Sequence, residues 1–166
     1  MKFAPLTIEE QASTGGFTHR LDFNYRDIPA GIANNTSKVW AAGYLPALVA
    51  SDIMIKTELH LTTAFSDASD AAFNSSTLSL GDATTATRFI NASEANVNGT
   101  EVLNVIPGAN QNVIYTAAGQ LQLTLNSMTG KSISDLDAGQ GYILLSINRA
   151  ADKAREQATP FGSGNT

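Results

Sequence analysis

The sequence predicts an all-β protein, an antiparallel β-sandwich of jelly-roll-like type with about eight strands. Three observations carry this prediction. Short runs of alternating apolar and polar residues recur along the chain, turn-forming dipeptides separate them, and helical periodicity is almost absent. Only 15% of the 166 residues are charged, which is a poor composition for long solvated helices.

The chain divides into three parts. Residues 1–16 show no regular period, so we expect an extended N-terminal arm. Residues 17–148 carry the strand patterns and form the β-sandwich domain, and residues 149–166 form a short polar C-terminal tail whose first half could make two turns of helix. Phe3, Leu6 and Ile8 are the apolar residues of the arm and its candidate anchors on a protein partner.

The first half of the domain contains the clearest strands. Residues 17–26 alternate strictly and predict a strand with one buried face, ended by Pro29. A short strand over 38–45 follows. Residues 53–65 alternate again, with the odd-numbered residues expected to face the core and Met54 expected on the solvent face. A strand of this length spans roughly 43 Å and suggests a bend or bulge partway along it.

The second half contains shorter strands separated by turns, and the stretch 92–95 hints at a helical turn. The last strand is nearly continuous in isoleucine and leucine, as expected of a strand covered on both faces. The predicted strands cover residues 77–80, 87–90, 102–106, 112–116, 120–126 and 142–148.

Composition excludes several classes of function. The formal net charge of −5 and the scattered lysines and arginines argue against a nucleic-acid partner. The chain has no cysteine, which excludes disulfides, thiol catalysis and cysteine-bound metals. Glu9 and Glu10 interrupt the N-terminal stretch, so we do not expect it to be a signal peptide. The longest apolar run, 39–50, is shorter than the about 20 residues of a membrane span, so no membrane partner is expected.

Few residues form a pattern that points to chemistry. His19 and His60 lie on strands, on opposite faces, without the spacing of a metal motif. The carboxylates of Asp135 and Asp137 lie in a loop beside Gly139, where oxygen ligands can hold Ca²⁺, although a solvated turn is the favoured interpretation. Asp67 and Asp70 form a second carboxylate pair. We therefore expect no enzyme, no metal and no cofactor.

Several segments between residues 50 and 148 together resemble a family. The pattern resembles the small β-sandwich structural proteins of tailed bacteriophage virions, of the capsid decoration (cement) and head-fibre type. The segments are the long strand 53–65 ending in Leu-Thr-Thr-Ala-Phe-Ser-Asp, then Leu78–Asp82, Thr87–Ile90, Val113–Gly119 and the closing strand Gly141–Asn148.

The resemblance implies a non-enzymatic virion component on the capsid surface, associated with itself as a homotrimer and with the major capsid protein. The alternative is a tail, collar or fibre module that recognises a host carbohydrate. That alternative needs exposed aromatic rings, whereas Trp40, the only tryptophan, lies in an apolar stretch.

Overall fold

The computed structural model describes residues 2–27, 37–40, 45, 47–68, 76–94, 105–107, 112–126 and 135–149. These residues form two antiparallel sheets, a helix α1 (Ile8–Ser13) and a 3₁₀ turn (Tyr25–Asp27). The strands are β1 (Lys2–Pro5), β2 (His19–Asn24), β3 (Ser37–Trp40), β4 (Ala47–Leu48), β5 (Ile53–Ser66), β6 (Thr77–Asp82), β7 (Ile90–Glu94), β8 (Val105–Pro107), β9 (Val113–Ile114), β10 (Gly119–Asn126) and β11 (Ala138–Asn148).

The strand pairs are nested, like those of a long hairpin wound into a sandwich. Strand β2 pairs with β11, β3 with β10, β5 with both β8 and β9, and β6 with β7. The pairs β5·β11 and β6·β10 close the hairpin into two sheets. The six-stranded sheet has the order β1-β2-β11-β5-β8, with β9 also paired with β5. The five-stranded sheet has the order β3-β10-β6-β7, with β4 also paired with β10. This is the topology of a jelly roll, with β1 added at one edge, and the expected all-β sandwich is confirmed.

The core lies between the sheets and is apolar. Leu121, Leu123 and Leu125 of β10 are fully buried, as their alternation predicts, and Leu21 and Phe23 of β2 are buried in the same way. Burying one such side chain contributes roughly 1.5–3 kcal/mol, so packing alone can hold the sandwich together without disulfides. Among the described residues, no helix is long and apolar enough to cross a bilayer.

Strand β5 is bulged near its start, which corrects one predicted face. Ser146 and Ile147 of β11 are consecutive, yet they lie opposite Lys56 and Met54. Ile55 is therefore an extra residue in the ladder. The bulge reverses the alternation on its N-terminal side. Met54 is therefore fully buried, although strict alternation would place it towards solvent.

A second irregularity lies near the end of β5. Gln140 and Gly141 of β11 are consecutive, yet they lie opposite Thr63 and Leu61, which makes Thr62 the extra residue. Both threonines are exposed, so the prediction that Thr63 faces the core is wrong. The expected bulge in this long strand is confirmed, and its place decides which side chains reach the surface.

The N-terminal segment contains regular structure that its hydrophobic periodicity does not reveal. Strand β1 pairs with β2 along its whole length, and α1 follows it. The expected extended arm therefore contains a short strand and a short helix, which periodicity does not show because β1 is too short to alternate and α1 buries none of its residues. The domain boundaries at 16/17 and 148/149 stay predictions.

Four other predictions differ from the structure or lie outside it. Strand β7 begins at Ile90, where the predicted strand 87–90 ends, and residues 92–94 belong to this strand and not to a helical turn. Of the predicted strand 102–106, only the part within β8 lies among the described residues. The predicted helix after Arg149 lies outside them.

Candidate functional site

The N-terminal segment lies along the edge of the six-stranded sheet. After β1, the Leu6 amide donates a hydrogen bond to the Thr18 carbonyl at 2.9 Å. Helix α1 then begins with a capping box, in which the Glu10 amide donates to Thr7 Oγ1 at 3.2 Å and the Thr7 amide donates to Glu10 Oε2 at 2.8 Å. The hydrogen bonds from Thr7 hold the pKa of Glu10 below its ordinary value.

The three predicted anchors have different surroundings. Phe3 lies in β1 with its backbone opposite Leu21, and its side chain lies outside what the structure describes. Leu6 is half-buried. Ile8, the first residue of α1, is 85% exposed, the largest exposure among the described large hydrophobic residues. The structure therefore places Leu6 and Ile8 on either side of the N-cap and presents Ile8 to solvent.

The outer face of the six-stranded sheet carries a row of interlocked side chains, which we call the outer-face row: Arg20, Asp22, Glu58, His60 and Tyr142. These residues alternate with Leu21, Leu59 and Ile143, which point into the core, so they point outward. The register places Tyr142 of β11 directly between Asp22 of β2 and His60 of β5.

Tyr142 is the centre of the outer-face row. The Arg20 guanidinium lies 3.8 Å from the centroid of its ring, and the His60 ring stacks on it with centroids 4.4 Å apart and planes 12° from parallel. Arg20 and His60 come from the strands on either side of β11, so they cover opposite faces of the Tyr142 ring. A ring covered in this way is not available for stacking on a sugar.

An ion pair and a histidine–carboxylate contact complete the two ends of the outer-face row. Arg20 binds Asp22 with an Nη2–Oδ1 distance of 2.7 Å, and His60 Nε2 lies 3.2 Å from Glu58 Oε2. The Arg20–Asp22 pair is half exposed, so it contributes less than about 1 kcal/mol to stability. Its effect is on geometry, because each side chain of the row is held by its neighbour.

The two histidines do not meet. His19 lies on the same face of β2 as the buried Leu21, and its Nδ1 lies 2.7 Å from Thr18 Oγ1. His60 lies on the opposite face of the same sheet. In the described part of the chain, no three histidine, aspartate or glutamate side chains lie close enough together to hold a metal ion.

Of the two carboxylate pairs, the structure describes the contacts of Asp137. Asp137 Oδ2 accepts a hydrogen bond from the Ala68 amide at 2.8 Å, and the Asp137 amide donates to the Ser66 carbonyl at 3.0 Å. Asp137 thus fixes the loop before β11 against the end of β5, which supports the turn interpretation. Asp70 lies outside the described residues, so the pair with Asp67 stays a prediction.

A buried carboxylate that the sequence did not single out lies at the end of β6. Asp82 is 5% exposed, and its Oδ1 accepts the amides of Thr84 and Thr85 at 3.0 and 2.9 Å. Its Oδ2 accepts the Tyr115 hydroxyl at 2.8 Å and lies 2.6 Å from Arg88 Nε. We call Asp82, Arg88 and Tyr115 the Asp82 cluster; it borders a cleft of about 250 Å³.

The electrostatics of the Asp82 cluster fix its protonation. Burial alone would raise the pKa of Asp82, but hydrogen bonds from Tyr115, Thr85 and Thr84 and the charge of Arg88 outweigh it and hold that pKa below 3.8. Burial and the hydrogen bond to Asp82 raise the pKa of Tyr115. Tyr115 therefore stays a hydrogen-bond donor. The cluster stabilises the turn after β6.

Comparisons with known proteins give one structural similarity. No protein-family model matches the chain, and no curated protein matches it. Among solved structures, the chain is similar to the cyanophage Pam1 capsid asymmetric unit, with 17% sequence identity and a TM-score of 0.47. The alignment covers 78% of this chain and 80% of that chain.

Proposed function

We propose that the protein is a non-enzymatic structural component of a bacteriophage virion, a decoration (cement) protein that binds the outer surface of the capsid. The nested jelly-roll topology is the observation that carries this proposal, because jelly rolls recur in viral capsid proteins. The space between the sheets is filled by apolar side chains, which suits a structural role. Since fold alone does not imply function, the sequence resemblance is a second and separate support.

The outer-face row is the surface that we propose for docking on the shell. Its side chains are held by one another, so binding costs less side-chain ordering than it would for loose residues. The row combines both signs of charge with an aromatic ring, a composition that suits hydrogen bonding across a broad contact. A protein that binds only the assembled shell stabilises that shell by mass action.

Mass spectrometry of purified particles of the encoding phage tests this function. We expect a copy number on the order of hundreds, comparable with that of the major shell protein, because decoration follows the repeated symmetry of the shell. A copy number on the order of a dozen would instead favour the tail, collar or fibre alternative. Absence from the particles would overturn a virion role altogether.

We also expect the purified protein to be a homotrimer. Strands β1 and β8 end one sheet and β3 and β7 end the other within the described residues, and an unpaired sheet edge is a template for pairing with another copy. The burial of β11 on both faces is produced within one chain, where Leu144 is 5% exposed and Ser146 is 4% exposed, so it does not itself require another copy. Analytical ultracentrifugation should give the mass of three chains, and a stable monomer at micromolar concentration would contradict the trimer.

Deleting residues 1–16 should leave the sandwich folded and weaken its attachment to the shell or to sister chains. Strand β2 keeps its pairing with β11 after the deletion, so the circular dichroism spectrum should remain that of a β-protein. The point variant Ile8→Ser tests the exposed anchor alone, and Glu9→Ser is its matched control on the same helix. Loss of the fold on deletion, or equal attachment of all variants, would remove the anchoring role.

A further inference from the structure

Three segments of the chain meet at the end of the sandwich where β5 begins. The start of β10 pairs with β4 on one side and with the end of β6 on the other, and β9 pairs with the start of β5. We call the surface formed there the neutral end; it comprises residues 47–51, 83–87 and 112–118. It shares no residue with the outer-face row.

The exposed residues of the neutral end carry no charge. They are alanines, threonines, one serine, one asparagine, Val49 and Ile114. Val49 is 47% exposed and Ile114 is 63% exposed, and they are two of the three exposed large hydrophobic residues that the structure describes. Exposed charged residues of the described chain lie elsewhere, among them Lys2, Glu9 and Asp137. The neutral end therefore differs in composition from the rest of the described surface.

The charged residues that border the neutral end are balanced. Asp82 pairs with Arg88, and Asp52 pairs with Arg149 through an Oδ2–Nη1 distance of 3.7 Å. Both carboxylates are buried, and both arginine side chains are partly exposed. Because each positive charge lies beside a carboxylate, these four residues add no net charge to the surface.

Hydrogen bonds hold the neutral end in one shape. The Ser51 amide donates to the Tyr115 carbonyl at 2.8 Å, and the Tyr115 amide donates to the Asp52 carbonyl at 2.9 Å. Asp52 Oδ2 accepts the Val49 amide at 3.0 Å, and the Asp82 cluster fixes the turn after β6. A surface that is already ordered loses little conformational entropy when a partner covers it.

Symmetry favours an uncharged surface for contact between copies of one chain. Residues near a symmetry axis meet the same residues of the next copy, so a charge there would face a like charge. The whole chain has a formal net charge of −5, which makes copies repel one another. At the neutral end no exposed charge opposes their approach. Depletion of charged residues is also what distinguishes the core of a protein interface from the remaining surface.

We propose that copies of this chain associate through their neutral ends, which meet around the symmetry axis of the oligomer. Val49 and Ile114 then lose their contact with water, which favours association, and the small side chains around them allow the copies to approach closely. The inference rests on the self-association proposed above and names the surface that forms it, at the neutral end and not at the sheet edges. It does not depend on the virion role.

The test is analytical ultracentrifugation of the full chain carrying Ile114→Asp or Ile114→Lys. We expect each substitution to weaken self-association by about a hundredfold, because like charges then meet across the contact. An equal mixture of the two variants should associate again, because opposite charges face each other in it. Ala117→Asp repeats the test at a second exposed position of the same segment.

Thr63→Asp is the matched control. It adds the same charge to an exposed residue near the other end of β5, so it should leave the mass in solution unchanged. Ile114 and Ala117 are exposed, so the substitutions should not unfold the protein, and circular dichroism checks that the β-spectrum is kept.

Three results would overturn the proposal. If the unmodified protein is a monomer, this inference and the trimer both fail, whereas the virion role is untouched. If the Ile114 and Ala117 variants keep the mass of the unmodified oligomer, the neutral end lies outside the contact and the trimer alone stands. If Ile114→Asp and Ile114→Lys both dissociate but their mixture does not associate, the neutral end meets a different surface of the next copy.

Discussion

We expect Asp82→Ala to lower the free energy of unfolding by about 3–5 kcal/mol, because it removes the acceptor of three hydrogen bonds, each worth about 1 kcal/mol, together with the ion-pair partner of Arg88. Asp82 is the common acceptor for two amides, the Tyr115 hydroxyl and the Arg88 guanidinium. Urea denaturation, compared with that of the unmodified protein, measures the loss.

Tyr115→Phe is the matched control for this substitution. It removes the hydroxyl that donates to Asp82 and keeps the ring, which stacks on Phe89 with centroids 6.3 Å apart. The expected cost is about 1 kcal/mol, the value of one hydrogen bond. If Asp82→Ala cost no more than Tyr115→Phe, Asp82 would not be the centre of the cluster.

The lowered pKa of Asp82 predicts that the stability of the folded protein depends on pH. The pKa of Asp82 is lower in the folded protein than its ordinary value of 3.8, so the folded state favours the charged form. Its contribution is therefore fully present above that ordinary value and is lost as the pH falls through the still lower folded pKa. The stability difference between the unmodified protein and Asp82→Asn should be constant near neutral pH and should shrink in acid. A difference that grows in acid would contradict the assigned shift.

Gly139→Ala should destabilise the protein by about 2–5 kcal/mol, because two separate costs add. The residue has φ +140°, a conformation that side chains rarely adopt, and the new Cβ would overlap the buried Phe65 ring. Thermal unfolding followed by circular dichroism measures the change.

Gly16→Ala separates the two costs. Gly16 also has a positive φ of +86°, but no atom lies within 4 Å of the position that its Cβ would take. We expect a loss of only about 1 kcal/mol there, from backbone strain alone. If Phe65→Leu is combined with Gly139→Ala, the two losses should be less than additive, because they share one contact. Full additivity would contradict the proposed overlap.

Alternation alone was enough to predict the sandwich where strands pair regularly. Leu121, Leu123 and Leu125 are buried as their spacing requires, and β11 is covered on both faces as its composition indicates. The predicted faces of Met54 and Thr63 are wrong, because an extra residue in a ladder turns the following side chains to the other face of the sheet. The residue types of the strand do not show where such an extra residue lies.

Helix α1 did have a signal in the sequence. Thr7 followed three residues later by Glu10 has the spacing of a capping box, which outweighs the missing period in so short a helix. The Asp82 cluster had none, because the turn after β6 brings Arg88 to Asp82, while the pairing of β10 with β6 brings the segment just before β10, which contains Tyr115, to the end of β6. Residues that meet through sheet pairing cannot be recognised from their spacing along the chain.

The nested pairing has a consequence for the way the chain acquires its structure. The Thr18 hydroxyl donates to the Leu145 carbonyl, which lies 127 positions further along the chain. During synthesis β2 leaves the ribosome well before β11, so the pairs of β11 with β2 and β5 cannot form until residue 148 has been made. Domains whose contacts join residues so far apart in the sequence typically fold in milliseconds to seconds. Until β11 arrives, β2 and β5 both expose unpaired edges, and a chain that stops before Ala138 would keep them as templates for aggregation.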